Sequence, residues 1–64
     1  MLTCRPSKKL IGKRCLFHGF DGVCREASIV NVRRGIVVLD YPVRNELVRA
    51  YVERSEHRRI ERIA

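Results

Sequence analysis

Asn45-Glu46-Leu47-Val48-Arg49-Ala50-Tyr51-Val52-Glu53-Arg54-Ser55-Glu56-His57-Arg58-Arg59-Ile60-Glu61-Arg62-Ile63-Ala64 is the segment on which two architectures part company. Its Glu, Arg, Leu and Ala content favours helix. Asn45 would cap that helix, and Arg49 and Glu53 would sit one turn apart on it. The apolar stripe then breaks, because Glu53 to Arg59 is a run of seven polar residues. On one continuous helix, Glu56 and Arg59 would fall on the buried side between Val52 and Ile63. A strand reading has no such conflict. Val48, Ala50 and Val52 alternate inward. A polar turn follows, with Ser55-Glu56-His57 forming a 3₁₀ turn, and Ile60 and Ile63 complete the core. Strand–turn–strand is the preferred reading, and a three-stranded sheet plus a C-terminal helix is the alternative.

Upstream the signals are those of strands. Leu10 to Phe17 reads as a first strand, with Ile11, Cys15 and Phe17 on one face and Leu10, Arg14 and Leu16 on the other. His18-Gly19-Phe20-Asp21-Gly22 is a turn, since it holds two glycines and an aspartate. Val23 to Val32 reads as a second strand. Its apolar phase changes midway: Ala27 and Ile29 share one parity, Val30 and Val32 the other. Such a change predicts a bulge or bend. Arg33-Arg34-Gly35 is a hairpin turn between β-branched runs. Ile36 to Tyr41 is a third strand, ended by Asp40-Tyr41-Pro42. Residues 1–9 show no apolar period and read as a basic N-terminal arm, which leaves 10–64 as one small β-barrel domain.

Four or five short strands, a glycine-bearing first loop and a 3₁₀ turn before a short last strand resemble the SH3-like small barrels, the superfamily of KOW, Tudor and Sm-type modules. The residues that carry the resemblance are Gly12-Lys13-Arg14-Cys15-Leu16-Phe17, Gly22-Val23, Gly35-Ile36-Val37-Val38, and Tyr51-Val52 with Ser55 and Ile60. It spans about residues 10–63 and is a pattern of strands and turns. The resemblance implies a mainly β, SH3-like barrel of about five antiparallel strands. It also implies a rigid scaffold whose loops bind nucleic acid or another protein, and fold alone does not choose between these. Aromatic residues are confined to Phe17, Phe20, Tyr41 and Tyr51, with no Trp. That is too little for a proline-peptide groove or a methyl-lysine cage.

The 64 residues carry 14 Lys+Arg against 7 Asp+Glu, a net charge of +7. One domain of this size has little core to spare for a catalytic pocket. The charge is uneven. Residues 1–34 hold eight Lys/Arg and two acids; residues 35–64 hold six Arg and five acids. A field of this kind draws polyanions. Lys8, Lys9, Lys13 and Arg14 flank the first strand, and Arg33 and Arg34 stand at a hairpin tip, where they reach a phosphate backbone. Phe20 either stacks on an exposed base or plugs the end of the barrel. Arg58, Arg59 and Arg62 alternate with Glu56 and Glu61 and read as a self-paired face.

Other chemistry is weaker. Cys15-x-x-His18 is a two-ligand knuckle, and Cys24 and Cys4 would complete a tetrahedral zinc set. The competing reading makes Cys15 and Cys24 small core residues facing each other across a hairpin. No partner set around His18 or His57 reads as a triad, no glycine-rich phosphate loop is present, and the acids are scattered, so the expectation is no enzyme and no cofactor. The opening residues have no apolar run, and Ile36-Val37-Val38-Leu39 is far short of a membrane span. An odd number of cysteines suits reduced thiols. A cytoplasmic module without membrane contact follows, with nucleic acid as its partner. The alternatives are an acidic face of a larger protein assembly, which a small regulator would engage, and self-association through sheet edges.

Overall fold

The computed structural model of the chain describes residues 7–61 and 63. Five strands form one antiparallel sheet: β1 (Arg14–His18), β2 (Cys24–Arg33), β3 (Ile36–Val43), β4 (Glu46–Val52) and β5 (Ile60–Glu61). They lie in the order β4-β3-β2-β1-β5. A 3₁₀ turn over Lys8–Leu10 precedes β1, and a second over Arg54–Arg59 delivers the chain to β5. The fold is therefore mainly β, and the helical alternative for the last third is overturned. Asn45 caps nothing; it lies in the two-residue loop between β3 and β4, where Val43 pairs with Glu46. Arg49 meets Asp40 across the sheet and has no helical partner in Glu53.

Side-chain alternation explains the core. Cys15 and Phe17 on β1, Ala27 and Ile29 on β2, Val37 and Leu39 on β3, and Ala50 and Val52 on β4 all point to one side. Val32 joins them out of phase, and the register shifts between Ile29 and Asn31 where the bulge was expected. The bend lets both halves of β2 face the same interior. Ile60 pairs with Phe17 and is wholly buried, as is Phe17 itself. Each such side chain contributes roughly 1.5–3 kcal/mol through burial.

Three expectations need correction. β1 begins at Arg14 and not at Leu10, because Ser7 caps the 3₁₀ turn and Gly12 adopts φ 90, which turns the chain into the strand. Leu10 still packs against the core from that turn. β3 runs through Pro42 to Val43. Its pairing with β2 ends at Ser28–Asp40, so beyond that point β3 has a neighbour on one side only and tolerates a residue without an N–H. Finally, the sheet does not close. β4 and β5 are its two ends and do not pair. Val52 and Ile60, one from each end strand, both belong to the core cluster.

Candidate functional site

Antiparallel order gathers one end of each strand. The β2–β3 turn and the end of β4 share one end of the sheet, since Arg33 pairs with Ile36 and Val37 with Val52; the start of β1 points toward that end but lies opposite the middle of β2, where Arg14 pairs with Ser28. Lys13 is fastened there by its carbonyl, which accepts from the Ile29 amide at 2.8 Å. The Lys8–Leu10 turn packs beside β2. Arg34 and Gly35 form the tip, with φ 52 and 81. Two left-handed residues in a two-residue loop match the twist of the flanking strands.

The second 3₁₀ turn crosses this tip. His57 Nε2 donates to the Gly35 carbonyl at 2.8 Å. Arg54 lies on Gly35 so closely that a Cβ there would stand 2.9 Å from its Cγ and Cδ. Lys8, Lys9, Lys13, Arg33, Arg34 and Arg54 are all exposed. Among the described residues none of the six makes an ion pair. Glu53, exposed and next to Arg54 in the chain, is the acid at this end.

Most arginines elsewhere are engaged; Arg44, in the β3–β4 loop, is exposed and makes no ion pair among the described residues. Arg25 grips Asp21 through two bonds of 3.1 and 2.9 Å and lies 5.3 Å over the Tyr41 ring. Its guanidinium, with the Val23 amide, holds the Asp21 carboxyl down to about 2. Arg49 binds Asp40 at 2.9 Å, and Arg14 binds Glu26 at 2.9 Å. Arg59 meets Glu56 at 2.6 Å and donates to the carbonyls of His18 and Gly19 at 3.3 and 3.1 Å. Arg58 also reaches Glu56, at 3.3 Å. Surface pairs of this kind add little stability, but they neutralise the groups they join.

The expected binding set therefore divides. Arg33 and Arg34 stand at the β2–β3 end of the sheet, and Lys8, Lys9 and Lys13 lie beside β2, all without acid partners among the described residues. Arg14 is paired. Phe20 belongs to the β1–β2 loop at the opposite end. It is 58% exposed, with its ring centroid 5.9 Å from that of Phe17 in a T-shaped pair and the Arg59 guanidinium 4.6 Å over its ring. Arg54 was missed. It sits in a polar run that reads as neutralised, and only the crossing of the second 3₁₀ turn over Gly35 brings it to the tip.

The cysteine readings also change. Cys15 points into the core, where burial pushes its thiol up to about 11. His18, of opposite parity, points outward. Cys24 is exposed and lies opposite His18, with Sγ 2.9 Å from Nδ1, so it does not face Cys15. The knuckle Cys15-x-x-His18 thus has its two ends on opposite faces of β1. Cys4 lies outside the described residues, and among the described residues no three His, Cys, Asp or Glu side chains are arranged so that they could hold one metal ion. Two small open clefts, about 490 and 310 Å³, line the β3–β4 loop and the outer face near Pro42. No helix of the described residues is long and apolar enough to cross a membrane. No protein-family model, curated protein or solved structure matches this chain.

Proposed function

We propose that the chain is a non-enzymatic, cytoplasmic nucleic-acid-binding module that contacts the phosphate backbone through Lys8, Lys9, Lys13, Arg33, Arg34 and Arg54. The single observation behind this reading is a set of exposed cations without acid partners at the β2–β3 turn and beside β2 on the side toward it, while Arg14, Arg25, Arg49, Arg58 and Arg59 pair with acids. A cation free of a protein acid exchanges only water and counterions for phosphate, and their release drives binding. Arginine adds bidentate geometry to the charge. The strand order with a 3₁₀ turn before the last strand supports an SH3-like arrangement, in which loops at the sheet ends do the binding.

Among the described residues no α-helix is available to enter a major groove, which favours recognition of backbone and shape without base-edge reading. The test is anisotropy with single- and double-stranded RNA and DNA at two salt concentrations. Affinity is expected to fall steeply with salt. Salt-independent affinity overturns the proposal. A complex with an acidic protein that survives nuclease treatment, together with no measurable oligonucleotide binding, would move the same cations to a protein partner.

A further inference from the structure

Three neighbouring strands place an acid, an imidazole and a thiol in one row on the outer face. His18 closes β1 and is paired directly with Cys24 at the start of β2. Glu61 on β5 is paired with Leu16, two residues before His18 on the same face of β1. The side chains connect in order. Cys24 Sγ is 2.9 Å from His18 Nδ1, and His18 Nε2 is 3.4 Å from Glu61 Oε1. Backbone pairing on both sides of β1 fixes this geometry. Chain spacing hides it, because the three residues come from separate segments and form no motif.

The parts suit nucleophilic chemistry. The thiolate is the reactive form of cysteine. A base within hydrogen-bond reach takes the thiol proton, and a carboxylate on the other ring nitrogen orients the imidazole and stabilises its charged form. Surrounding charges are committed elsewhere. Arg59 binds the carbonyls of His18 and Gly19 and is held by Glu56; Glu26, on the Cys24 face of β2, is held by Arg14; Asp21 is held by Arg25. Cys24 is open to solvent, in contrast to Cys15.

We propose that Cys24 is an activated thiol and a site of covalent modification by small disulfides, with His18 as its base and Glu61 as the positioning residue. The Cys24 proton passes to His18 Nδ1. Cys24 sulfur attacks one sulfur of the disulfide, the S–S bond of the reagent breaks, and a mixed disulfide forms on Cys24. The second reagent sulfur leaves as a thiolate and recovers the proton from the imidazolium. The reagent half that leaves is reduced and Cys24 is oxidised, so no further oxidant is needed. This site lies on the outer face of β5, β1 and β2 and is independent of the nucleic-acid reading.

The test uses the full chain carrying Cys4→Ser and the aromatic disulfide dithiobis(nitrobenzoate). One equivalent of coloured thiol is expected, with the adduct mapped to Cys24. At neutral pH the rate should exceed that of the same chain unfolded by about ten-fold. The positioned imidazole takes the thiol proton as the sulfur attacks, an arrangement the unfolded chain lacks. His18→Gln should return the rate to the unfolded value, and Glu61→Gln should lower it by a smaller factor. The folded rate should also differ from the unfolded rate in its pH profile, because an imidazole takes part in the proton transfer. An adduct on Cys15, or a folded rate and pH profile equal to those of the unfolded chain, overturns the proposal. If His18→Gln loses its native circular dichroism, the pH profile of the His18-containing protein and the Glu61→Gln rate still decide the matter.

Discussion

The two ends of the sheet use arginine in different ways. At the end holding the β1–β2 loop, Arg25 and Arg59 serve the fold: each pairs with an acid and stands over an aromatic ring. At the other end, Arg33, Arg34 and Arg54 crowd around one glycine turn and make no ion pair among the described residues. Cations packed together without acids repel one another, and nothing in the packing requires them there. Net charge is thus a poor guide to a binding surface, and the distribution of partners is a better one. The first end is where substitution should cost stability, and the second is where it should cost affinity.

The largest effect tests the structural end. Phe17 is wholly buried and carries Phe20 and Tyr41 on its ring. Phe17→Ala should destabilise by about 3–5 kcal/mol, much of the total for a domain this small. Urea denaturation measures it, and a loss below about 1 kcal/mol would deny that this end carries the fold. Next comes the pair Arg33→Ala/Arg34→Ala. Stability should stay within about 0.5 kcal/mol. The salt slope should drop by about 1.8, so the fall in affinity between about 50 and 200 mM salt should shrink about ten-fold. An unchanged slope would remove the hairpin tip from the interface.

The same division separates what the sequence reveals from what it hides. The inward faces, the bulge after Ile29 and the turn at Ser55-Glu56-His57 were legible, because a period of two and its interruption are local properties of the chain. Arg33 and Arg34 were legible as a tip, because Gly35 between β-branched runs signals a tight hairpin. The start of β1 was hidden by a backbone fact, the positive φ of Gly12, which ends the alternation early. The open ladder between β4 and β5 was hidden because inward alternation looks the same in a closed barrel and an open sheet. Partners were hidden altogether: Arg14 with Glu26, Arg59 with Phe20, Arg54 with Gly35 and Cys24 with His18 and Glu61 depend on strand register and on where the second 3₁₀ turn crosses. Five of the six candidate cations are thus legible in the sequence, and the assignment of each cation to fold or surface is written in tertiary structure.

A smaller effect sharpens the basic end. Gly35 has φ 81, and an added Cβ would press on Arg54. Gly35→Ala should cost about 1 kcal/mol through the left-handed backbone. It should also displace Arg54, so affinity should fall although no charge has been removed. Comparison with Arg54→Ala checks the cause. If the two losses add fully in the double variant, Arg54 does not act through its seat on the turn.

The smallest effect is a difference in acid response. The Asp21 carboxyl is held at about 2 against an ordinary value of 3.8, first by its hydrogen bonds from Arg25. A depressed carboxyl stabilises the folded state above its ordinary value, and that contribution drains away as pH falls through the folded value. Stability should therefore decline between about pH 4 and pH 2, with Asp40 and Glu56, also lowered by their arginines, adding to the same limb. Acid thus loosens the structural end. Asp21→Asn should flatten this limb in urea midpoints measured across the window, without abolishing it. An unchanged limb would mean that the Arg25 grip does not persist in solution, and the contrast between engaged and free arginines would weaken at its best-formed pair.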